Sequence, residues 1–196
     1  MMVQPGDIVF HSCDGILASA IRKVTRCPWS HVSMVVRVPS GNGLDGFDIL
    51  DVLATRVIHS IDHHSTDRTW HVRSPRYPTA SEWSVRGIPM ALTREHVVRH
   101  ALELHRHLRR RYPWMELSAY LPGLRRTAWG RRILRRTDRM VCSAMVATAW
   151  HAMDFKWING DGTQISPDWV DPGTMWRQAN RDVWPLMCTK ESYNAV

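Results

Sequence analysis

Two segments of the chain carry the residues for a Cys/His nucleophile pair. Cys142 opens a stretch whose apolar residues recur with helical spacing, at positions 141, 145, 146, 149, 150 and 153. His31 opens a β-branched run that is typical of a strand. A thiol in the first turn of a helix lies near the positive end of the helix dipole, which stabilises a thiolate. Because an imidazole on a neighbouring strand can accept the thiol proton, the pattern predicts Cys142 as nucleophile and His31 as its general base.

Both residues also have ordinary structural interpretations. A cysteine inside an amphipathic helix is usually a small buried apolar residue, and a lone histidine in a strand is more often a hydrogen-bonded structural residue. Cys13, Cys27 and Cys188 lack a helix-start position, which favours the structural interpretation for them. The four cysteines form neither a zinc-type doublet nor a dense disulfide pattern, which indicates a reduced, intracellular setting.

A triad needs a third group that accepts a hydrogen bond from the second ring nitrogen of His31. Three carboxylates lie on or near the strand predicted after the histidine strand, namely Asp45, Asp48 and Asp51, and His59 lies one strand later. Asp48 and Asp51 point to opposite faces because side chains alternate along a strand. Only one of these two can therefore face His31.

Hydrophobic patterning places these residues on a short series of strands and helices. The sequence predicts strands over 6–10, 31–38, 47–54, 56–61 and 69–73, and helices over 16–25, 94–110 and 142–153. Thr93 is the predicted N-cap of the second helix. Residues 74–92 are predicted to be mainly loop, and residues 112–133 to form one or two short helices. An antiparallel sheet packed against helices, including the Cys-bearing helix, is an α+β fold.

Chain length and the positions of glycine and proline predict the domain organisation. At 196 residues the chain is long enough for one substantial core, and no linker divides it. We therefore expect a single domain over 1–196. Its tail is predicted to be mostly irregular from about residue 157, because glycine and proline recur there.

Five segments in this order resemble a known family. They are Gly6–Phe10, Ile16–Thr25, Ser30–Ser33, Ile49–Val52 and Val141–Ser143. The chain resembles the circularly permuted branch of the NlpC-like cysteine peptidases, in which the histidine strand precedes the cysteine helix. That resemblance implies a circularly permuted papain-like fold over roughly residues 5–175. This chain departs from the family pattern at Ser33, where glycine is usual, and at Ala144, where an acidic residue is common.

The resemblance also implies roles for the site residues. Cys142 is the implied nucleophile, His31 the base and Asp51 the orienting third residue, although Glu or His often stands at the Asp51 position. The implied reaction is amide cleavage through a thioester acyl-enzyme, on peptidoglycan-type peptides or peptide-like amides. The Cys142 backbone N–H, at the helix start, is the expected first oxyanion donor. No cofactor is expected.

Positive charge is concentrated in one part of the chain. Between Arg106 and Arg139 there are eleven arginines against two acids, a net +9, whereas the whole chain carries +8. Such a patch indicates an anionic surface as partner, either phospholipid, wall polymer or nucleic acid, or else a solvated arginine-rich face. The residues expected to make the contact are Arg125, Arg126, Arg131, Arg132, Arg135 and Arg136.

Several classes of protein fit the sequence less well. No apolar run is long enough for a transmembrane helix, and the N-terminus has no classical secretion signal, so we expect a cytoplasmic protein. Action at the cell envelope and a viral origin both stay open. His96 and His100 are spaced i, i+4, but the His-Glu-x-x-His order of zinc proteases is absent, so no metal is expected.

Two other functions compete with the amide hydrolase. One is a lipid-directed acyltransferase or thioesterase of the lecithin:retinol acyltransferase type, held at anionic headgroups by the arginines. The other is a non-catalytic polyanion-binding protein, although its aromatic residues are not interleaved with the basic run. One fast-alkylating cysteine of low pKa distinguishes an enzyme from a binding protein.

Overall fold

The computed structural model describes residues 2–39, 46–51, 58–63, 67–75, 89–107 and 142–195. These residues form an α+β fold with an antiparallel sheet, as the sequence predicts. The strands are β1 (Ile8–Cys13), β2 (His31–Arg37), β3 (Asp48–Leu50), β4 (Ile58–Ser60), β5 (Asp67–Arg73) and β6 (Leu186–Thr189). The helices are α1 (Ile16–Thr25), α2 (Met90–His107), α3 (Cys142–His151), α4 (Pro172–Arg181) and α5 (Lys190–Asn194).

The described strands join in one sheet with the order β4-β3-β2-β1-β5-β6. Every neighbouring pair is antiparallel. In register, His11 of β1 lies opposite His31 of β2, and Cys13 lies opposite Asp67 of β5. Residues that lie opposite each other share a face of the sheet, so this register brings several polar side chains together.

The two faces of the sheet have separate apolar clusters because strand side chains alternate. One face, which includes Phe10 and Met34, packs with Met145 of α3 and Val97 of α2 in the larger cluster. The other face has a smaller cluster, which comprises Val9, Val35, Phe47, Ile49, Ile61, Trp70 and Val72. The cysteine helix therefore packs on the first face, whereas the side chains of alternate residues, including His31, project from the second.

The C-terminal tail is more regular than the sequence predicts. The expectation of an irregular tail from about residue 157 is wrong, because α4, β6 and α5 all lie within it. Asp171 caps α4 by accepting a hydrogen bond from the Thr174 N–H at 2.7 Å, and Pro172 occupies the first helical turn. β6 pairs with β5, which makes the tail an edge of the sheet. The glycines and prolines therefore separate short elements here instead of marking one long loop.

The start of α2 also differs from the prediction. The helix begins at Met90, so Thr93 is a buried residue of its first turn and not the N-cap. Its hydroxyl donates to the Pro89 carbonyl at 3.3 Å. The helices predicted within 112–133 and most of the loop predicted over 74–92 lie outside the described residues. Among the described helices, none is both long and apolar enough to cross a membrane.

Candidate active site

The structure brings together the three residues of the expected triad. His31 is the first residue of β2, Asp51 directly follows β3, and Cys142 is the first residue of α3. His31 Nε2 and Asp51 Oδ1 are 2.8 Å apart, and both side chains are at least 96% buried. The His31 imidazole also shares a hydrogen bond with the Cys142 side chain. Because Nε2 faces Asp51, Nδ1 is the nitrogen left for the sulfur.

Cys142 lies beside β2 at Val32. β1 pairs with β2 at Val32, and the Val32 backbone N–H donates a hydrogen bond to the Cys142 sulfur. The first residue of α3 therefore contacts both Val32 and His31, although the helix packs on one face of the sheet and the His31 side chain projects from the other.

The electrostatics of this site favour a thiolate–imidazolium pair. Burial opposes charge on the His31 ring, but the charges of Asp51 and the Cys142 thiolate outweigh it and hold the pKa of His31 well above its ordinary value. Burial likewise opposes the thiolate, yet the His31 imidazolium and the Val32 N–H lower the pKa of Cys142, against a smaller opposing effect of Asp51. The thiolate forms as pH rises through the lowered pKa of Cys142. The imidazolium is lost as pH rises through the raised pKa of His31, so the reactive pair exists between these limits.

Two of the other cysteines have the opposite electrostatics. Burial, reinforced by the neighbouring charge of Asp67, raises the pKa of Cys13 to about 12 despite an opposing effect of His31. The Cys13 thiol donates to Asp67 Oδ1 at 3.1 Å. Burial also raises the pKa of Cys27 to about 11. Both residues are therefore neutral thiols near pH 7.

Asp51 is the carboxylate that the fold brings to His31, and Asp48 is not. The Asp48 side chain lies on the opposite face of β3, 4.0 Å from Arg37 Nε. Asp45 and the side chain of His59 lie outside the described residues. Nearly all of the arginine-rich segment, including the six arginines expected to bind a polyanion, also lies outside them.

A second buried histidine–aspartate pair was not predicted from the sequence. His11 Nδ1 is 2.6 Å from Asp67 Oδ2, and His11 Nε2 is 2.7 Å from Ser33 Oγ. The first strand was predicted to end at residue 10 and the fifth to begin at residue 69, whereas β1 reaches Cys13 and β5 begins at Asp67. Longer strands in that prediction would have placed both residues in the sheet.

Donors for a metal ion do not cluster in the described part of the chain. No group of three or more His, Cys, Asp or Glu residues is placed there to hold one. His96 and His100 lie on α2, where His100 Nδ1 is 3.9 Å from Glu103 Oε2. His31 and Asp51 bind each other, and their bonded atoms are therefore occupied.

Replacing Asp51 with asparagine tests its charge without removing the oxygen that faces His31. We expect Asp51→Asn to lower kcat/KM by about a hundredfold, in the range for positioned acid–base groups, because the imidazolium loses its counter-charge. Cys142 remains alkylated at a measurable rate. Steady-state kinetics and mass spectrometry of the Cys142 peptide measure the two effects.

Asp48→Asn is the matched control, since it makes the same change at the other end of β3 and on the opposite face. It is expected to leave kcat/KM within about twofold, because exposed ion pairs contribute little. A larger loss of kcat/KM in Asp48→Asn than in Asp51→Asn contradicts the assignment of Asp51 as the third residue of the triad.

Comparison with known proteins identifies a similar fold. One solved structure that resembles this chain is the metalloprotein yiiX of Escherichia coli O157:H7, described as DUF1105. The TM-score is 0.50 at 14% sequence identity, and the likeness covers 99% of this chain and 93% of the other. No protein-family model and no curated protein matches the sequence. At that identity the likeness extends to the fold, which in this chain is an antiparallel sheet with packed helices.

Proposed function

We propose that this protein is a cysteine hydrolase that cleaves amide bonds in peptidoglycan-type peptides or other peptide-like amides. The observation that carries the proposal is the buried, hydrogen-bonded series of Cys142, His31 and Asp51. Burying three ionisable side chains costs free energy unless they pair, and here each charge has a partner of opposite sign. A site of this kind gives a nucleophile that is ionised at neutral pH.

A permuted papain-like fold, as in the NlpC-like peptidases, forms part of the same proposal. Two features support it: the histidine strand precedes the cysteine helix in the chain, and the cysteine is the first residue of that helix. The helix start places the nucleophile near the positive end of the helix dipole. A backbone N–H at a helix start has no partner within the helix, so the Cys142 N–H is the proposed oxyanion donor.

The first half of the reaction forms the thioester. The Cys142 thiolate attacks the carbonyl carbon, and the electron pair of the C=O bond moves to oxygen, where the Cys142 N–H stabilises it. As the tetrahedral intermediate collapses, the C–N bond breaks and the His31 imidazolium donates its proton to the departing amine. The products of this step are a free amine, an acyl-thioester on Cys142 and a neutral His31.

The second half regenerates the enzyme. Neutral His31 accepts a proton from a water molecule while the oxygen of that water attacks the thioester carbonyl carbon. The C–S bond then breaks. The acid leaves and the thiolate–imidazolium pair re-forms. Asp51 holds the ring and balances its charge in the steps in which His31 is protonated.

The protonation of His31 favours amides over esters as substrates. An amine is a poor leaving group unless it is protonated, so amide cleavage needs an acid in place when the C–N bond breaks. The raised pKa of His31, due to Asp51 and the Cys142 thiolate acting against burial, keeps that acid available near neutral pH. An ester leaves more easily and depends less on this proton.

The proposal contains no metal step. The description of yiiX as a metalloprotein belongs to that protein. In this chain, the described His, Cys, Asp and Glu residues form no group suited to a metal ion, and the triad donors are hydrogen-bonded to one another.

Trapping of the acyl-enzyme tests the proposed reaction. The wild-type protein is incubated separately with muropeptides, peptide amides and lipid esters. Each reaction is quenched in acid, and the mass of the intact protein is measured by mass spectrometry. We expect an added mass equal to the acyl portion of an amide substrate, located on Cys142 and released by hydroxylamine. Loading by lipid esters alone contradicts the amide assignment and favours a lipid acyltransferase. No adduct on any substrate, together with equal alkylation of all four cysteines near pH 6, contradicts the cysteine hydrolase itself.

A further inference from the structure

The second histidine–aspartate pair lies directly beside the triad. β1 and β2 place His11 opposite His31, and the centroids of the two imidazole rings are 5.2 Å apart. His11 is held at both ring nitrogens, by Asp67 Oδ2 at 2.6 Å and by Ser33 Oγ at 2.7 Å. The His11 ring is therefore fixed in orientation and packs beside His31.

These contacts have the connectivity of a Ser-His-Asp triad, but burial excludes that use. His11 and Ser33 are 0% exposed, and so is the Asp67 side chain, whereas Cys142 is 4% exposed. Because a substrate carbonyl cannot reach Ser33 Oγ, this group does not act as a second nucleophile. The Asp67–His11–Ser33 group can therefore affect the reaction only through the residues that it contacts, and His31 is the reactive one among them.

His31 needs more than Asp51 to hold its orientation. The Asp51 hydrogen bond fixes one ring nitrogen, and small rotations about that contact still move Nδ1 relative to Cys142. The fixed ring of His11 packs beside His31 and restricts such rotations. Ser33 lies two residues after His31 on the same face of β2, so its bond to His11 joins the two strands next to the reacting ring.

We infer that Asp67, His11 and Ser33 form a positioning network that holds the His31 imidazole in the orientation required by Cys142. This inference rests on the proposed function, since the orientation matters only if Cys142 and His31 react. Ser33 stands where the resembled family usually has glycine, so the hydroxyl of the network is a feature of this chain.

The charged groups around His31 determine how loss of the network changes the pH at which the Cys142 thiolate forms. Asp51 faces the ring from β3, Cys142 from α3, and His11 and Cys13 from β1, while Asp67 of β5 acts through His11 and Cys13. A displaced His31 ring stabilises the Cys142 thiolate less, so the thiolate forms at a higher pH. The pH dependence of thiol alkylation reports this change directly.

The test compares wild-type protein with Ser33→Ala, which removes one hydroxyl and leaves no buried charge unpaired. Iodoacetamide alkylation of Cys142 is followed by mass spectrometry from about pH 4 to pH 9, which spans the range of reactive thiols. We expect the midpoint of the Cys142 profile to move to higher pH. We also expect the rate near pH 6 to fall by about tenfold, since displacement of a reacting group by about 1 Å can cost up to a hundredfold.

Ser74→Ala is the matched control because it also removes one buried serine hydroxyl from a hydrogen bond, in this case with Arg94. Ser74 lies at the opposite end of β5 from Asp67. We expect this control to lower Tm without moving the alkylation midpoint. A Ser33→Ala profile that matches the wild type while Tm falls overturns the inference, because the network is then only structural.

A second variant completes the test. His11→Gln retains an amide toward Ser33 and replaces Ser33→Ala if that variant does not fold, with the same expected shift.

The outcomes for the network and for the proposed function are distinct. A wild-type protein without fast alkylation of Cys142 near pH 6 contradicts the hydrolase. Fast alkylation that persists unchanged in Ser33→Ala and His11→Gln contradicts only the network.

Discussion

We expect Cys142→Ala to reduce hydrolysis by about 10⁴-fold or more, the scale of loss when the nucleophile of a catalytic triad is removed. The reason is that Cys142 has a lowered pKa and a hydrogen bond to His31, whereas burial raises the pKa of Cys13 and of Cys27. Folding is expected to change little, because alanine fills most of the volume of the cysteine side chain and the His31–Asp51 pair is kept, so the loss is limited to the hydrogen bonds of the sulfur with His31 and the Val32 N–H. A cost of about 1 kcal/mol corresponds to a Tm change of about 2–4 °C in a chain of this length. Steady-state kinetics and thermal unfolding measure the two effects.

Cys27→Ala is the control for this experiment. Cys27 is also a buried cysteine, 5% exposed, but it lies in the apolar cluster and its pKa is raised by burial to about 11. The variant is expected to retain the wild-type kcat/KM. If Cys142→Ala and Cys27→Ala have equal activity, Cys142 is not the nucleophile.

Local patterns in the sequence predicted the elements that carry the triad. α1 occupies the residues expected for it, and β2 begins at His31 as its β-branched run indicates. β3 lies within the strand predicted over 47–54, although Asp51 follows β3 instead of lying in it, and α3 lies within the helix predicted over 142–153. Bringing His31 and Asp51 together then needed only the pairing of neighbouring strands, β2 with β3.

Features that depend on pairing between residues far apart in the sequence could not be predicted from local patterns. β6 has four residues and joins β5 across more than a hundred positions, so its local pattern is too short to indicate a strand. His11 and Asp67 are separated by 56 positions, and each lies just outside the strand predicted from local patterns, which place strand ends poorly. Their contact depends on the register of β1 with β5, which the tertiary fold determines.

The structural role of the Gly6–Asp7 segment was likewise not readable from the sequence, where the segment counted only toward the family resemblance. In the structure, Asp7 is 0% exposed and forms an ion pair with Arg94 of α2, with Nη1 and Oδ1 2.6 Å apart. The Gln4 N–H donates to Asp7 Oδ2 at 2.8 Å. Gly6 has φ +85°, and a Cβ there would lie 3.4 Å from Arg94 Cγ. The segment thus fixes the start of β1 against α2.

We expect Arg94→Met to destabilise the protein by about 3–5 kcal/mol, because it leaves the Asp7 carboxylate buried without its counter-charge. Arg94 also donates to the Pro5 carbonyl at 3.1 Å and to Ser74 Oγ, so the substitution removes several bonds at once. The free energy of unfolding, measured by urea titration, gives the effect. The double variant Asp7→Asn/Arg94→Met is expected to recover part of the loss, since no charge then remains buried.

Arg99→Met is the matched control, since it makes the same change in the same helix. Arg99 pairs with Glu95 at 2.9 Å, but more than half of each side chain is exposed. Its loss is expected to cost less than about 1 kcal/mol, because solvent screens an exposed ion pair. Equal losses for Arg94→Met and Arg99→Met would show that burial does not make the Asp7–Arg94 pair important. The start of β1 would then be held mainly by the apolar contacts of Ile8 and Phe10 with the helices.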